Sequence, residues 1–299
     1  MRRKPIQPSH LLLGVIAALA LVASACAREA EEAPTAEETP TFAAGSFMTA
    51  LQAKGEIVIG VKFDIPQIGF LNPASNQPEG FEIELGKLLA GGLGVKPRFE
   101  EAVSANRIPF LKEDKVDLII STMTITDQRR EEIDFSVVYY VAGQTLLVRK
   151  GSKIIDVKTL DAQSAPVCSA QGSTSEKNIQ AAAPNAEVVL QKGYAECFQL
   201  LQNDQVKAVT TDDVILLQFI KQDPQRFALT GGRFSLEPYG MGVKKGRPEF
   251  VEFLNDTIND IKAGGKWVRL YDEWIKPMTG RSANPPPDDV KATTPARPA

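Results

Sequence analysis

Histidine is almost absent from this 299-residue sequence. The single histidine, His10, lies in an N-terminal stretch that we expect to be removed, so the mature chain would contain none. Histidine supplies the general base of Ser-His-Asp and Cys-His catalytic sites, and it is the commonest metal ligand. We therefore expect neither that kind of catalysis nor a histidine-based metal site, and we expect no cofactor.

The sequence also lacks an apolar run that would span a bilayer comfortably. Residues 11–22 have about the length of the apolar part of a signal peptide, and a basic segment, Arg2-Arg-Lys4, precedes them. The following Ala23-Ser-Ala-Cys26 resembles a bacterial lipobox, in which the cysteine is lipidated and becomes the first residue. Residues 1–25 are thus interpreted as a lipoprotein signal peptide, with Cys26 as the membrane anchor on the extracellular face of a bacterial cell. Plain secretion, with cleavage near Ala25, is the alternative.

Cysteine is scarce as well, with three residues in the chain. Lipidation of Cys26 would leave Cys168 and Cys197. In an oxidising extracellular setting such a pair is expected to form a disulfide. Two separate buried thiols are the alternative.

Sizeable aliphatic side chains are rare in residues 27–44 and 279–299. Residues 27–44 hold five glutamates and two prolines, so we interpret residues 26–46 as a flexible acidic tether. Residues 279–299 hold five prolines, with Val290 as the one sizeable aliphatic residue, and we expect them to be disordered. The folded body would then cover residues 47–278. Loss of the three basic signal residues would change the formal charge from −3 to −6, which argues against a nucleic-acid partner.

Within the body, apolar strands alternate with amphipathic helices. The order strand, helix, strand, helix, strand over residues 56–120 predicts an α/β sheet with ligands at the carboxyl ends of its strands. The pattern starts again after residue 148. Two extended stretches, Tyr139–Gly143 and Glu237–Gly240, would cross between the two units, which indicates a hinge.

The main candidate binding stretch is Ser121–Ser136, which follows the apolar run Val116–Ile120. It contains hydroxyl-rich backbone and then a short charged helix that opens near Thr126 and carries Arg129. Free N–H groups, hydroxyls and an arginine at the end of a strand suit a carboxylate. An ordinary strand–loop–helix junction with a solvated Arg129 is the alternative.

Two further stretches place polar groups at the ends of predicted strands. Gly172–Glu176 puts a glycine and three hydroxyl residues before a helix, which suits a carboxylate, although a simple N-cap by Ser173 or Thr174 would explain it equally well. Asp212 ends the strand near Val206–Thr210, where an aspartate is most often only a helix cap.

Taken in order, these motifs resemble the amino-acid-binding lipoproteins that feed ABC importers, the polar-amino-acid type of solute-binding protein. The similarity covers about residues 50–277 and rests on four segments: Thr124–Arg129 with Ile133–Ser136, Gly172–Glu176, Ala208–Asp212 and Tyr239-Gly240. It implies a two-lobed α/β fold of the periplasmic-binding-protein-like type II, with two crossing strands between lobes that close on a ligand. Lobe one would comprise residues 47–139 and 240–278, and lobe two residues 140–239.

The resemblance also implies which residues bind the backbone of an amino acid. Arg129 would clamp the α-carboxylate with two parallel N–H bonds, and Thr124 and Thr174 would donate to the same group. Asp212, with Thr122, would bind the α-ammonium. Because the two lobes would contribute opposite charges, only the closed form would satisfy both ends of the zwitterion.

The substrate side chain is implied by similarity to narrower groups of the family. Ser104–Pro109 resembles a turn of glutamate- and aspartate-binding members, in which the arginine, here Arg107, meets the side-chain carboxylate. Lys62, Tyr194 and Ser121 complete the expected site. The segment Gly60–Asp64 and the cysteine pair resemble actinobacterial glutamate-binding lipoproteins.

Charge counting agrees with an acidic ligand. Arg129, Arg107 and Lys62 against Asp212 give a formal charge of about +2, which suits a ligand of net charge −1. We expect L-glutamate, with aspartate as a further candidate. Glutamine is the alternative, because an amide oxygen can also accept from arginine or lysine. The alternative to a ligand-binding role is a surface helix position for Arg107 and a solvated loop position for Lys62.

The expected function is capture without chemistry. A monomeric protein would bind extracellular L-glutamate by lobe closure and deliver it to the permease subunits of an ABC importer. An enzyme or a sensor built on the same fold is the alternative class.

Overall fold

The computed structural model describes residues 40–295. The expected signal peptide, Cys26 and most of the expected tether lie outside these residues. The strands, numbered in chain order, are β1 (Glu56–Val61), β2 (Asp64–Ile65), β3 (Gly69–Asn72), β4 (Gln77–Glu79), β5 (Lys96–Glu101), β6 (Leu118–Ile119), β7 (Ile133–Phe135), β8 (Tyr140–Ala142), β9 (Gln144–Arg149), β10 (Val167–Ala170), β11 (Val188–Gln191), β12 (Ala208–Asp212), β13 (Phe227–Thr230), β14 (Glu237–Tyr239) and β15 (Gly242–Lys244).

The α-helices lie before, between and after these strands. A π-helical turn, Tyr271–Ile275, joins the last two of them. They are α1 (Phe47–Lys54), α2 (Phe81–Leu93), α3 (Arg107–Lys112), α4 (Asp127–Glu132), α5 (Val157–Ala162), α6 (Thr174–Ala182), α7 (Tyr194–Gln202), α8 (Asp213–Gln222), α9 (Pro248–Ala263), α10 (Lys266–Leu270) and α11 (Lys276–Thr279).

Two five-stranded sheets define two lobes. The sheet of lobe one has the order β5-β1-β6-β15-β7, with β1 parallel to both of its neighbours and β15 antiparallel to both of its own. The sheet of lobe two has the order β11-β10-β12-β9-β13, in which β10 is parallel to both neighbours and β9 is antiparallel to both. This arrangement confirms the two-lobed α/β fold expected from the sequence. The small sheet β2-β3-β4 belongs to lobe one.

The two stretches expected to cross between the lobes pair with each other as a short antiparallel ribbon. Tyr140 of β8 lies opposite Tyr239 of β14, and Ala142 lies opposite Glu237. The rings of the two tyrosines pack with their centroids 5.6 Å apart. The indole N–H of Trp267 donates to the carbonyl of Tyr139 over 2.7 Å, so the C-terminal helices of lobe one also contact this ribbon.

A disulfide joins Cys168 of β10 to Cys197 of α7, with the two Cα atoms 5.4 Å apart. Both cysteines are fully buried within lobe two. The expected pairing is therefore present, and it ties a central strand to the helix that begins at Tyr194.

The ends of the body differ from the expectation. Phe42, assigned to the tether, packs against Phe253 with ring centroids 5.7 Å apart. In the tail, expected to be disordered, the Asp288 carboxylate pairs with Lys262 over 2.6 Å. Val290 packs on an apolar cluster of lobe one that includes Val138. The tail therefore follows the body because its few apolar and acidic side chains find partners that its composition does not reveal.

The docked tail also runs alongside the crossing ribbon. The amide of Val138, at the lobe-one end of β8, donates to the carbonyl of Asp288 over 3.1 Å. The backbone of Leu236, just before β14, exchanges hydrogen bonds with the amide and the hydroxyl of Thr293. Residues 288–293 thus contact the ribbon at both of its ends.

Removal of residues 282–299 should destabilise the folded body. The loss of the Val290 contact and of the Asp288–Lys262 pair should lower the free energy of unfolding by about 1–2 kcal/mol, or Tm by roughly 2–5 °C. Differential scanning calorimetry of the truncated and full chains measures this shift. Lys291→Ala, at an exposed position, is the control. A disordered tail would leave the Tm of the truncated chain unchanged.

Candidate functional site

Among residues 40–295, six acidic or basic side chains are buried between and beside the two lobes, each at most 9% exposed to solvent. Four of them are expected from the sequence and two are not. They are Lys62, Arg107, Arg129 and Asp212, together with Glu82 and Glu237. Since an uncompensated buried charge is costly, their mutual placement determines what the site can bind.

Arg129 lies where it can contact both lobes. Thr126 caps α4 by accepting from the amide of Arg129 over 3.2 Å, which places the arginine in the first turn. Its Nη1 donates to the carbonyl of Thr124 over 2.7 Å, and Nη2 reaches the carbonyl of Gly172 in lobe two at 3.4 Å. Burial and the nearby Arg107 lower the pKa of Arg129 to about 9. Two of its five N–H groups make these bonds, so the guanidinium retains donors for a carboxylate.

Asp212 is the last residue of β12, the central strand of lobe two, and is also buried. Its Oδ2 accepts from the hydroxyl of Tyr239 over 2.5 Å. Its Oδ1 has no hydrogen-bond donor among the described residues. Burial, and then the neighbouring Glu237, raise the pKa of this carboxyl well above its usual range. Asp212 is not a side-chain cap of α8, so the structural alternative for this residue does not hold.

Glu237 binds the two hydroxyls that we expected to face the ligand carboxylate. Its Oε2 accepts from Thr124 Oγ1 at 2.7 Å and from Thr174 Oγ1 at 2.9 Å. Its Oε1 accepts from Asn178 Nδ2 at 2.9 Å and from Ser235 Oγ at 2.5 Å. The hydroxyl protons of Thr124 and Thr174 are therefore directed at a protein carboxylate in this structure, a contact that joins lobe one, the crossing ribbon and lobe two.

Ser173 acts as the N-cap of α6, as the structural explanation of Gly172–Glu176 proposed. Its side chain accepts from the amide of Glu176 over 3.0 Å, and the carboxylate of Glu176 accepts from the amide of Gly172 over 2.7 Å. This local network holds the Gly172 carbonyl that Arg129 contacts.

Arg107 is buried, so the surface alternative for this residue is wrong. Its Nη1 donates to the carbonyls of Ser121 and Thr122 at 2.8 and 3.0 Å, and its Nε donates to that of Ser104 at 3.2 Å. Two of its five N–H groups thus hold the loop after β6 and a third bonds to the segment before α3, while Nη2 makes no hydrogen bond within residues 40–295. Ser121, expected to contact the ligand, instead donates its hydroxyl to the carbonyl of Ala102 over 2.9 Å.

Glu82, in the first turn of α2, holds the other side of the same loop. Its Oε1 accepts from the amide of Thr122 at 2.7 Å and from the hydroxyl of Tyr139 at 2.5 Å. Thr122 has a left-handed backbone with φ of +43°, so Glu82 at its amide and Arg107 at its carbonyl stabilise an unusual conformation. Burial raises the pKa of Glu82 to about 7, although bonds from Tyr139 and Thr122 and the charge of Lys62 oppose this.

Lys62 and Tyr194 meet across the two lobes. Lys62 Nζ lies 5.7 Å from the centre of the Tyr194 ring and donates to the hydroxyl of Ser104 over 3.2 Å. Burial and the neighbouring Arg107 lower the pKa of Lys62 to about 8. Lys62 is thus not a solvated loop residue, and it shares one subsite with Arg107 and Tyr194.

Sequence reasoning missed Glu82 and Glu237. Glu82 looks like an ordinary acidic residue in the first turn of an amphipathic helix, where it suits the helix dipole. Glu237 lies in the stretch that we assigned to the crossing strand alone. The one feature of the sequence that could have indicated burial of Glu82 is its position next to Phe81, at the start of the buried face of α2.

The sequence of this chain is similar to those of known proteins. Residues 57–277 match the family model of the bacterial extracellular solute-binding proteins, family 3. The chain belongs to this family. The glutamine-binding protein GlnH of Bacillus subtilis strain 168 is 41% identical over 232 residues, which cover 77% of this chain and 84% of that protein. The glutamine-binding protein of Geobacillus stearothermophilus is 39% identical over 264 residues, covering 86% of this chain and all of that protein.

More distant relatives carry other specificities. The glutamate-binding protein GluB of Corynebacterium efficiens is 27% identical over 242 residues, covering 77% of this chain and 82% of that one. The solved structure of an ancestral arginine-binding protein bound to glutamine superposes with a TM-score of 0.70 at 35% identity, covering 74% of this chain and 97% of that one. Our assignment to the glutamate-binding branch is thus not supported, since the glutamine-binding relatives are markedly more similar. Within residues 40–295, no helix has both the length and the apolar character to cross a membrane.

The raised pKa of Glu82 should make the ligand-free protein less stable as the pH rises. Between about pH 4.5 and 7 the folded chain retains this proton while the unfolded chain releases it, so the free energy of unfolding falls with rising pH. Glu82→Gln should remove roughly 2–3 kcal/mol of that fall. Urea unfolding of both proteins at about pH 5 and pH 7.5 measures the difference between their slopes, since the remaining titrating groups are shared. Parallel pH profiles would show that Glu82 titrates normally.

Proposed function

We propose that this solute-binding protein captures a net-neutral polar amino acid, L-glutamine, and delivers it to an ABC importer. The observation that carries this proposal is the buried Oδ1 of Asp212, which lacks a hydrogen-bond donor among the described residues. An α-ammonium group would supply that donor and a compensating charge. Arg129, with three N–H groups still free to donate, would bind the α-carboxylate of the same molecule.

The balance of buried charges favours a ligand without net charge. When all six groups are counted as ionised, Lys62, Arg107 and Arg129 are matched by Glu82, Asp212 and Glu237. Our count of about +2 included Asp212 as the only acid, and the two further carboxylates cancel that excess. A glutamate would add an unmatched negative charge, whereas the amide oxygen of glutamine can accept from Lys62 or Arg107 without adding one.

The expectation of L-glutamate is therefore replaced by its alternative, glutamine. Two relatives named for glutamine binding, at 41% and 39% identity, support this choice. The glutamate-binding relative, at 27%, lies much further away. The role of Arg107 changes as well, because three of its donors hold the backbone and only Nη2 remains for a ligand side chain.

The setting of this function follows from the N-terminus and from the family. We propose that Cys26 anchors a monomer through a lipid at the outer face of the cell membrane. The permease subunits of an ABC importer would be the protein partner. The name of the Bacillus subtilis relative, which assigns that protein to an ABC transporter, supports this proposal. Both relatives are named as glutamine-binding proteins and one of them as part of an ABC transporter, which makes an enzyme the weaker alternative.

Calorimetric titration of ligand-free protein with L-glutamine, L-glutamate and L-arginine tests the proposed ligand. Glutamine should bind at least roughly tenfold more tightly than either charged amino acid, since each of those leaves one unmatched charge. Asp212→Asn should weaken glutamine binding by about a hundredfold or more, because a buried ion pair is lost. Arg129→Ala should abolish it.

Arg130→Ala is the matched control for Arg129→Ala, because this neighbouring arginine is exposed. It should leave the Kd for glutamine within about twofold. Tighter binding of glutamate than of glutamine by the wild type would overturn the ligand assignment, while the roles of Arg129 and Asp212 would stand.

A further inference from the structure

Helix α7 of lobe two receives its N-terminal cap from lobe one. Its N-cap residue is Gly193, which has no side chain, and the amide of Gly193 itself donates to Glu196 Oε2 over 2.6 Å. The next two amides, of Tyr194 and Ala195, point at Asp64 Oδ2 over 2.9 and 3.4 Å. Asp64 belongs to β2, in the small sheet of lobe one. The carboxylate that caps this helix is thus 130 residues away in sequence and in the other lobe.

The Asp64 carboxylate lies so close to Gly193 that no side chain fits between them. A Cβ atom at Gly193 would lie 2.5 Å from Asp64 Oδ2 and 3.3 Å from its Cγ. The backbone of Gly193, with φ of −130°, is one that any residue adopts, so glycine is not required there by conformation. Glycine at this position instead leaves room for the incoming carboxylate.

The same two segments carry ligand-site residues. Lys62 lies two positions before Asp64, and Tyr194 is the first residue of α7. Their side chains meet with Lys62 Nζ 5.7 Å from the ring centre. When Asp64 caps α7, it therefore also fixes the distance between these two groups at the edge of the site.

Ordinary capping in this chain occurs within one lobe. Asp156 caps α5 by accepting from the amide of Thr159 over 2.8 Å, and both residues lie in lobe two. Such a cap stabilises the helix whether the lobes are open or closed. A cap supplied by the opposite lobe is lost on opening, so it biases the equilibrium toward the closed form.

We propose that Asp64 is an interlobe latch: a positioning residue that caps α7 in the closed form and so raises amino-acid affinity without touching the ligand. The proposal rests on the proposed function, in which closure captures an amino acid. Opening returns the Asp64 carboxylate and the two α7 amides to water, so the contribution is that of a helix cap rather than of a buried ion pair.

The test compares the amino-acid affinity of four variants by calorimetry and stopped-flow fluorescence, with L-glutamine, L-glutamate and L-arginine as probes. Asp64→Ala should raise the Kd of the best-bound probe by about 5–30-fold, mainly through faster dissociation. Gly193→Ala should act in the same direction, because its methyl group displaces the carboxylate. Adding Gly193→Ala to Asp64→Ala should cause little further loss, since both changes remove one contact. Asp156→Ala is the matched control, which should lower Tm and leave the Kd within about twofold.

An unchanged Kd in Asp64→Ala would overturn the latch while leaving the proposed function intact. Additive losses in the double variant would overturn it as well. A wild type that binds none of the probes would instead overturn the proposed function. In that case the latch is tested by measuring hydrogen exchange at the Tyr194 and Ala195 amides of the ligand-free protein. Exchange at least about fivefold faster in Asp64→Ala supports it, and equal rates overturn it.

Discussion

Burial of six charged groups between two lobes is the constraint on which the rest of this structure depends. Charges removed from water are tolerated when they are matched and hydrogen-bonded. Arg129 and Arg107 meet this requirement partly through backbone carbonyls, and Glu237 of the ribbon meets it through four donors from the two lobes. Two carboxylates meet it only in part: Asp212 has one oxygen satisfied by Tyr239, Glu82 has one satisfied by Thr122 and Tyr139, and the other oxygen of each has no donor among the described residues. In the function proposed above, the α-ammonium group of the amino acid supplies the donor that Asp212 lacks.

The crossing ribbon is part of this network and does not serve only as a connection. Tyr139, which precedes β8, donates to Glu82 in lobe one, while Tyr239 of β14 donates to Asp212 in lobe two. Each crossing strand thus supplies one hydroxyl to a buried carboxylate. A movement of the lobes that changes the ribbon also changes the surroundings of both carboxylates. Ligand charge, hinge position and loop conformation at Thr122 are in this way linked through a few short hydrogen bonds.

The fold could be read from the sequence because strand and helix periodicity is local, and because the motif with Arg129 and the Asp212 strand end mark two sheets. Arg107 and Lys62, which the family resemblance implied as ligand-binding residues, are both buried. The partners of these residues did not follow from the sequence. Glu82 looked like a helix-dipole residue, Glu237 like part of a strand, and Asp64 like an unremarkable loop acid. Each is defined by a contact 40 or more residues away in sequence. The composition of the tail likewise did not indicate that it packs on the body. Val290 contacts an apolar cluster of lobe one, and Asp288 pairs with Lys262.

A crystal structure of the protein with L-glutamine tests the central claim most directly. The claim is that the ligand completes a balanced network of buried charges. It predicts the α-ammonium nitrogen at about 3 Å from Asp212 Oδ1, the α-carboxylate on Arg129, and the side-chain amide beside Lys62 and Arg107 Nη2. An ammonium group bound elsewhere, with Asp212 Oδ1 still lacking a donor, would contradict it.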